Sequence, residues 1–190
     1  MYWIWANERT SDGQARIHGT PEAVSRGDFS FDYGVRIERV VPLIEIVRDE
    51  DSQGVLTDNL IAPGVRGLVF SGRLRRVLDE VGVTNIDYYP CRMRNPLDGT
   101  STDDYRVANL IGEIACVNRP KSDLEMDPDD PQQIMFINSL VLIEDAIGEA
   151  SMFRLAEQKQ VIVAHDRVKD ACQAVGITGV KFYAPEEFSL

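Results

Sequence analysis

Residues 69–90 and 163–185 read as two copies of one unit. Pairing Gly82 with Gly176, and every other residue by the same offset, sets Val69-Phe70-Ser71-Gly72-Arg73-Leu74 against Val163-Ala164-His165-Asp166-Arg167-Val168. The match continues without a gap through Val77 and Ala171, Leu78 and Cys172, and Val81 and Val175. Gly82-Val83-Thr84 then meets Gly176-Ile177-Thr178, and both copies leave through an aromatic run into Pro90 and Pro185. A chain that carries such a unit twice has to fold two similar pieces and pack them together.

The unit itself predicts strand, helix, turn, strand. Leu74, Val77, Leu78 and Val81 fall at i, i+3, i+4 and i+7, one stripe of a helix, while Arg73, Arg75, Arg76, Asp79 and Glu80 take the other faces. Ser71 stands where an N-cap hydroxyl accepts from an early helical N–H, and Gly82 where a left-handed residue ends the helix. In the second copy Asp166 is the expected cap and Gly176 the stop. Residues 83–89 and 177–183 are β-branched and aromatic, as half-buried strands are. Pro90 and Pro185 are expected to interrupt pairing. The fold class that follows is α+β, with internally duplicated strand-helix-strand units in a mixed or antiparallel sheet. The chain is one compact unit, read as two closely packed lobes near residues 1–104 and 105–190.

Elsewhere, Tyr2-Trp3-Ile4-Trp5 predicts an opening strand. Residues 7–13 are turn-rich, with Asp12-Gly13 favouring a tight turn. Pro21 suits the start of a short helix. Residues 39–47 look extended, with Pro42 marking an edge strand or two broken pieces. Residues 105–117 predict a long, central strand bent at Gly112. Residues 118–133, with Pro120, Pro128 and Pro131, predict a loop. Residues 134–137 and 140–143 predict strands, and 152–156 with 161–163 a hairpin.

Charge narrows the partners. Thirty-one acidic side chains against 20 basic ones give a net charge of -11. That charge repels phosphate backbones, which argues against nucleic acid, and attracts a basic protein. There is no run of about 18 apolar residues for a membrane span, and no basic start followed by a long apolar core. Cys91, Cys116 and Cys172 are odd in number and widely spaced, as free thiols in a reducing compartment are. A soluble, cytoplasmic protein is expected.

Chemistry-bearing patterns are sparse. The acids Asp123, Glu125, Asp127 and Asp129 alternate like the start of a calcium loop, yet Pro128 replaces the required glycine and Ile134 the closing glutamate. No metal or cofactor is expected. His18 and His165, the only histidines, form no motif with a cysteine for nucleophilic or zinc chemistry. Residues 64–67 are too poor in glycine for a phosphate cradle. Ser71 lacks the glycines of a nucleophile turn. Arg73 and Arg167 could make paired anion contacts at the helix starts, but ordinary solvated positions on the exposed helix face explain them better. Trp3 and Trp5 suit sheet packing better than a stacking platform.

Taken in order, Tyr2-Trp3-Ile4-Trp5, residues 69–74 with 82–86, Tyr105-Arg106-Val107-Ala108-Asn109-Leu110-Ile111-Gly112, Phe153-Arg154-Leu155-Ala156-Glu157 and residues 176–182 resemble the motifs of immunity-protein family eleven, of bacterial polymorphic toxin systems. The resemblance spans nearly the whole chain. It departs at Ala164-His165-Asp166, where the family more often opens the last helix with serine. It implies a protein, not an enzyme, that neutralises a cognate toxin by stoichiometric binding, and it carries over no catalytic residue. Many toxin domains that attack nucleic acid are basic, so the contact residues expected are the acids of two loops, Asp49, Glu50 and Asp51, and Asp123, Glu125, Asp127, Asp129 and Asp130. The alternative is an enzyme or small-ligand protein with its site between the two repeats. A third reading is a structural subunit acting through a hydrophobic face or a sheet edge. Oligomeric state is left open.

Overall fold

The computed structural model describes residues 1–8, 13–27 and 29–190, so the expected turn at Asp12 lies outside the described residues. Two sheets carry the fold, which is α+β as expected. The first of the two similar segments forms β5 (Leu68–Phe70), α2 (Gly72–Glu80) and β6 (Ile86–Arg94). The second forms β13 (Gln158–His165), α4 (Asp166–Ala174) and β14 (Val180–Tyr183).

In neither segment do the two flanking strands touch. An antiparallel strand lies between them: β8 (Arg106–Leu110) between β5 and β6, and β1 (Tyr2–Asn7) between β13 and β14. The registers agree under the offset that aligns the two segments. Val107 faces Val69 and Tyr89, as Ile4 faces Val163 and Tyr183. Ala108 faces Leu68 and Tyr88, as Trp5 faces Ile162 and Phe182.

The seven-stranded sheet runs β2 (Ile17–His18), β3 (Ile44–Arg48), β6, β8, β5, β4 (Asn59–Leu60), with β7 (Ser101–Thr102) added on β6. The five-stranded sheet runs β14, β1, β13, β12 (Met152–Leu155), β9 (Glu113–Ile114). A separate hairpin joins β10 (Asp123–Met126) to β11 (Ile134–Ser139). Two short helices, α1 (Glu22–Gly27) and α3 (Glu144–Ile147), complete the elements used below.

Strand alternation sorts the apolar side chains into three cores. Phe70, Leu74, Leu78, Ala108 and Leu110 meet Trp5, Ile162, Ala164, Val168 and Cys172 in a core shared by both sheets and both long helices. On the far side of the larger sheet, Val69 and Val107 are covered by Phe29, Phe31 and Val41. On the far side of the smaller one, Ile4 and Val163 are covered by Cys116, Ile137 and Leu140. Each fully buried Leu, Ile or Phe contributes about 1.5–3 kcal/mol, so the shared core dominates the joining of the sheets.

Local chemistry departs from expectation at five places. β6 runs through Pro90 because the ladder to β8 ends there and the parallel ladder to β3 begins only at Cys91, a junction where a missing donor is tolerated. Residues 105–117 do not form one bent strand: β8 and β9 belong to different sheets, and Gly112, at φ +96°, makes the crossing. Part of the expected 118–133 loop is β10, whose Leu124 and Met126 pack on the third core. Residues 140–143 contribute only an isolated bridge, Leu142 to Val117. The α4 cap is His165, whose Nδ1 accepts from the Arg167 N–H at 3.3 Å, because Asp166 already lies in the first turn.

Polar contacts fix how the sheets sit on each other. Asp58, buried between them, accepts from the Ser71 hydroxyl (2.7 Å), Arg73 Nη1 (3.0 Å), the Thr178 N–H (3.0 Å) and the Thr178 hydroxyl (3.1 Å). The Ser71 oxygen accepts in turn from the Leu74 N–H at 3.1 Å, so the expected N-cap is also part of this network. Asn59 donates from its backbone to Thr178 O and from its side chain to Gly179 O and Asn7 Oδ1. Gly179 has φ +80°, and a Cβ there would stand 2.2 Å from Asn59 O, so only glycine allows this approach. From the first segment Asn85 makes the reciprocal reach, donating to Ile111 O (2.7 Å) and Met152 O (3.0 Å).

Asp58→Ala would strand the Ser71 hydroxyl and the Thr178 N–H without their acceptor, each costing about 1–3 kcal/mol. The expected loss is about 3 kcal/mol in urea unfolding. Arg73→Ala, removing a half-exposed partner, should cost no more than about 1 kcal/mol. Equal losses for the two variants would show that the carboxylate matters only as a partner of Arg73.

Candidate functional site

Three places could carry function: the groove between the sheets, the polar positions at the helix starts, and the acidic segments. The groove consists of two adjoining cavities of about 740 and 310 Å³ that share Asn7, Ile61, Leu68, Gln160 and Ile162. The larger is bordered by Glu8, Lys181 and the 187–190 tail. The smaller reaches Arg154, Asp32 and Arg66.

Arg154 is 2% exposed, an unusual place for a guanidinium. It donates to Lys159 O (2.8 Å), Phe31 O (3.1 Å) and Leu110 O (3.4 Å), and its Nη2 lies 3.9 Å from Asp32 Oδ1. Burial pulls its pKa down, with Asp32 partly opposing. Burial pushes the Asp32 carboxyl up, with Arg154 and Arg66 opposing. The three carbonyls come from β13, β8 and the 29–35 segment, so Arg154 ties both sheets to the cover of the larger one. Its bonds are structural. Among the described residues no group of three or more His, Cys, Asp or Glu side chains could hold a metal.

The helix starts are similarly committed. Arg73 pairs with Asp58 and also donates to Val175 O, while Arg167 donates to the Ser151 hydroxyl. Both guanidiniums serve the protein's own oxygens, so the paired anion site is not what the fold builds. Trp5 is buried against Phe70 and Phe182. Trp3 lies under Lys169 Nζ, 3.5 Å from the ring centre, and its indole N–H donates to Asp166. That bond is the chief cause holding the Asp166 carboxyl below its ordinary range.

The three thiols are unsuited to nucleophilic work. All are buried and free, and burial pushes Cys91 up to about 11 and Cys116 and Cys172 to about 12. The nearby Glu157 adds to the effect at Cys116. Glu157 is itself buried, with Oε1 accepting from the Val117 N–H at 3.1 Å. Asp58, Arg154 and Glu157 are the residues to which sequence patterns assigned no role. A lone charged residue inside an apolar run, as in Met152-Phe153-Arg154-Leu155, was the available signal.

The acidic residues fall on two separate elements. Asp49, Glu50 and Asp51 follow β3 at the edge region of the larger sheet; Glu50 and Asp51 are exposed, and Asp49 Oδ1 accepts from the Asp51 N–H. Asp123 and Glu125 are exposed on β10, and Asp127, Asp129 and Asp130 lie in the turn that follows, Asp127 half-buried. No hydrogen bond or ion pair among the described residues connects the two groups. No helix of the described residues is long and apolar enough to cross a membrane.

Compared with models of protein families, the chain matches that of the immunity protein family Imm11 over residues 5–187, in agreement with the resemblance read from the ordered motifs. None of the curated proteins matches.

Two outcomes test the chemistry described above. With the thiols buried and protonated, the native chain should react with a thiol-exchange chromophore near neutral pH far more slowly than the guanidine-unfolded chain; a fast-reacting native thiol would reopen nucleophilic chemistry. Asp166 has a folded pKa below its unfolded value of about 3.9. Its stabilisation is therefore present above that value and lost as pH falls through the folded value. Asp166→Asn should flatten the acid limb of the urea-midpoint profile, and an unchanged limb would assign that limb to other carboxylates.

Proposed function

Because the chain belongs to the Imm11 family of immunity proteins, we propose that it neutralises one cognate toxin by stoichiometric binding inside the producing cell. The family match, which spans nearly the whole chain, carries this reading. Toxin neutralisation is the function of the family in general; binding is how this fold would perform it, since Asp58 and Arg154, its most buried charged groups, are engaged in joining the sheets and their cover. We further infer that the fold is an internal duplication of two closely packed lobes. The matching registers around β1 and β8 support that history.

The partner is a basic protein. A net charge of -11 accelerates encounter with a cationic surface and slows it with an anionic one. The acids offered to it are Asp49, Glu50 and Asp51 beyond β3, and Asp123, Glu125, Asp127, Asp129 and Asp130 on the hairpin. Both segments extend from rigid strands, as binding loops commonly do. A second reading has one observation in its favour, the groove between the sheets, which is large enough for a small molecule.

Native mass spectrometry of the chain purified gently from its own host separates the two. The expected result is a stoichiometric complex with a toxin that dissociates as salt rises. A bare chain, or one carrying a small molecule, would overturn the immunity reading or replace it with the groove. Neutralising Asp127, Asp129 and Asp130 together to Asn should slow association about tenfold at low salt and reduce its salt dependence; an unchanged on-rate would remove those residues from the contact.

A further inference from the structure

The β10–β11 hairpin contains an irregularity with a consequence for recognition. Its ladder pairs Glu125 with Phe136 and Met126 with Ile134, leaving Met135 as an extra residue, a β-bulge. A second bulge falls at Asn138. In a regular strand Met135 and Phe136 would point to opposite faces. The bulge changes this. Ile134 and Ile137 remain 2% and 0% exposed in the third core, while Met135 and Phe136 are both outside, 42% and 48% exposed.

The surroundings of this apolar pair are acidic and ordered. Glu125 stands directly across from Phe136, Asp123 lies farther along β10, and Asp129 and Asp130 are exposed on the connecting turn. Among the described residues none of these carboxylates has a cation in ion-pair range. The turn is held from within. The Asp129 N–H donates to Asp127 Oδ1, the Gln132 N–H donates to Asp130 Oδ1, and Arg119 donates to Pro131 O and Gln132 O. At Ile137 the backbone of β11 is already occupied, exchanging hydrogen bonds of 3.0 and 2.9 Å with Leu190. What this strand offers a partner is its side-chain face.

We propose that this face is the docking surface for the toxin, with Phe136 and Met135 as apolar anchors inside an acidic rim; the assignment rests on the immunity reading above. An apolar centre with a polar rim is the anatomy of specific interfaces, and their energy concentrates in a few central side chains. Charge selects the occupant. A second copy would bring the same carboxylates against each other, and a nucleic acid or anionic membrane would meet the same repulsion. The complementary partner is a protein surface with an apolar socket bordered by lysine and arginine.

The test uses the toxin that stays with the full wild-type chain through gentle purification, isolated and titrated against variants by biolayer interferometry. Phe136→Ser should lose at least about thirtyfold in affinity, chiefly through faster dissociation, and Met135→Ser about tenfold. Both residues are substantially exposed, so circular dichroism and thermal unfolding of the variants should match the wild type, separating lost docking from lost folding. Wild-type affinity in both variants, whether or not the Asp49→Asn, Asp51→Asn double variant weakens, would overturn this surface and leave immunity standing. Failure of the wild type to hold any toxin would overturn both. If sedimentation velocity of the chain alone shows a dimer that Phe136→Ser dissociates, the occupant is a second copy and the assignment to a toxin is wrong.

Discussion

A carboxylate removed from water has to be met by donors, or the fold around it loses more than the burial gains. Asp58 meets that condition with donors from a helix cap, a helix side chain and the turn before β14, positions far apart in sequence. The shared apolar core supplies most of the attraction between the sheets, but attraction between apolar faces is non-directional and permits sliding. The Asp58 network permits one arrangement only. Asn59 and Gly179 extend it to Asn7, and Asn85 with Met152 provides a second fastening between the sheets. Arg154 does similar work for the segment covering the larger sheet, satisfied by carbonyls rather than by a close ion pair. A rigid frame results, which is what a protein acting through surface complementarity needs.

Much of the frame was legible because apolar periodicity reports burial. The stripes of α2 and α4, the turn glycines Gly82 and Gly176, the opening strand and the β12–β13 hairpin all follow from spacing, and so did the N-cap at Ser71. Tertiary context decided the rest. Pro90 fits inside a strand because neighbouring ladders change over at that residue, which no local window reveals. Gly112 looked like a bend and is a crossing between sheets. Leu124 and Met126 alternate with acids so that prolines and charge disguised a strand as a loop.

The polar interior was the least legible part. Asp58, Arg154 and Glu157 carry no periodic signal, and their burial depends on partners distant in sequence. For the proposed contact surface, the acids were visible as composition, but the exposed apolar pair beside them was not. Residues 134–137 read as an ordinary strand, and only a bulge, a property of pairing, turns Met135 and Phe136 out together. The family relationship came from the order of weak motifs, which preserves information that no single motif holds.

The interleaving of β1 and β8 between the strands of the two units also bears on how the protein is made. β1 lies between β13 and β14 in the smaller sheet, yet both of these neighbours come far later in the sequence. An emerging Tyr2-Trp3-Ile4-Trp5 segment therefore remains without its ladder until those strands have been made, while the larger sheet, whose strands all lie within residues 17–110, can assemble earlier. Contacts of such long sequence separation slow folding and prolong the exposure of an apolar, unpaired strand. Completion of the smaller sheet, and with it the Asp58 network, thus waits until β13 and β14 have been made.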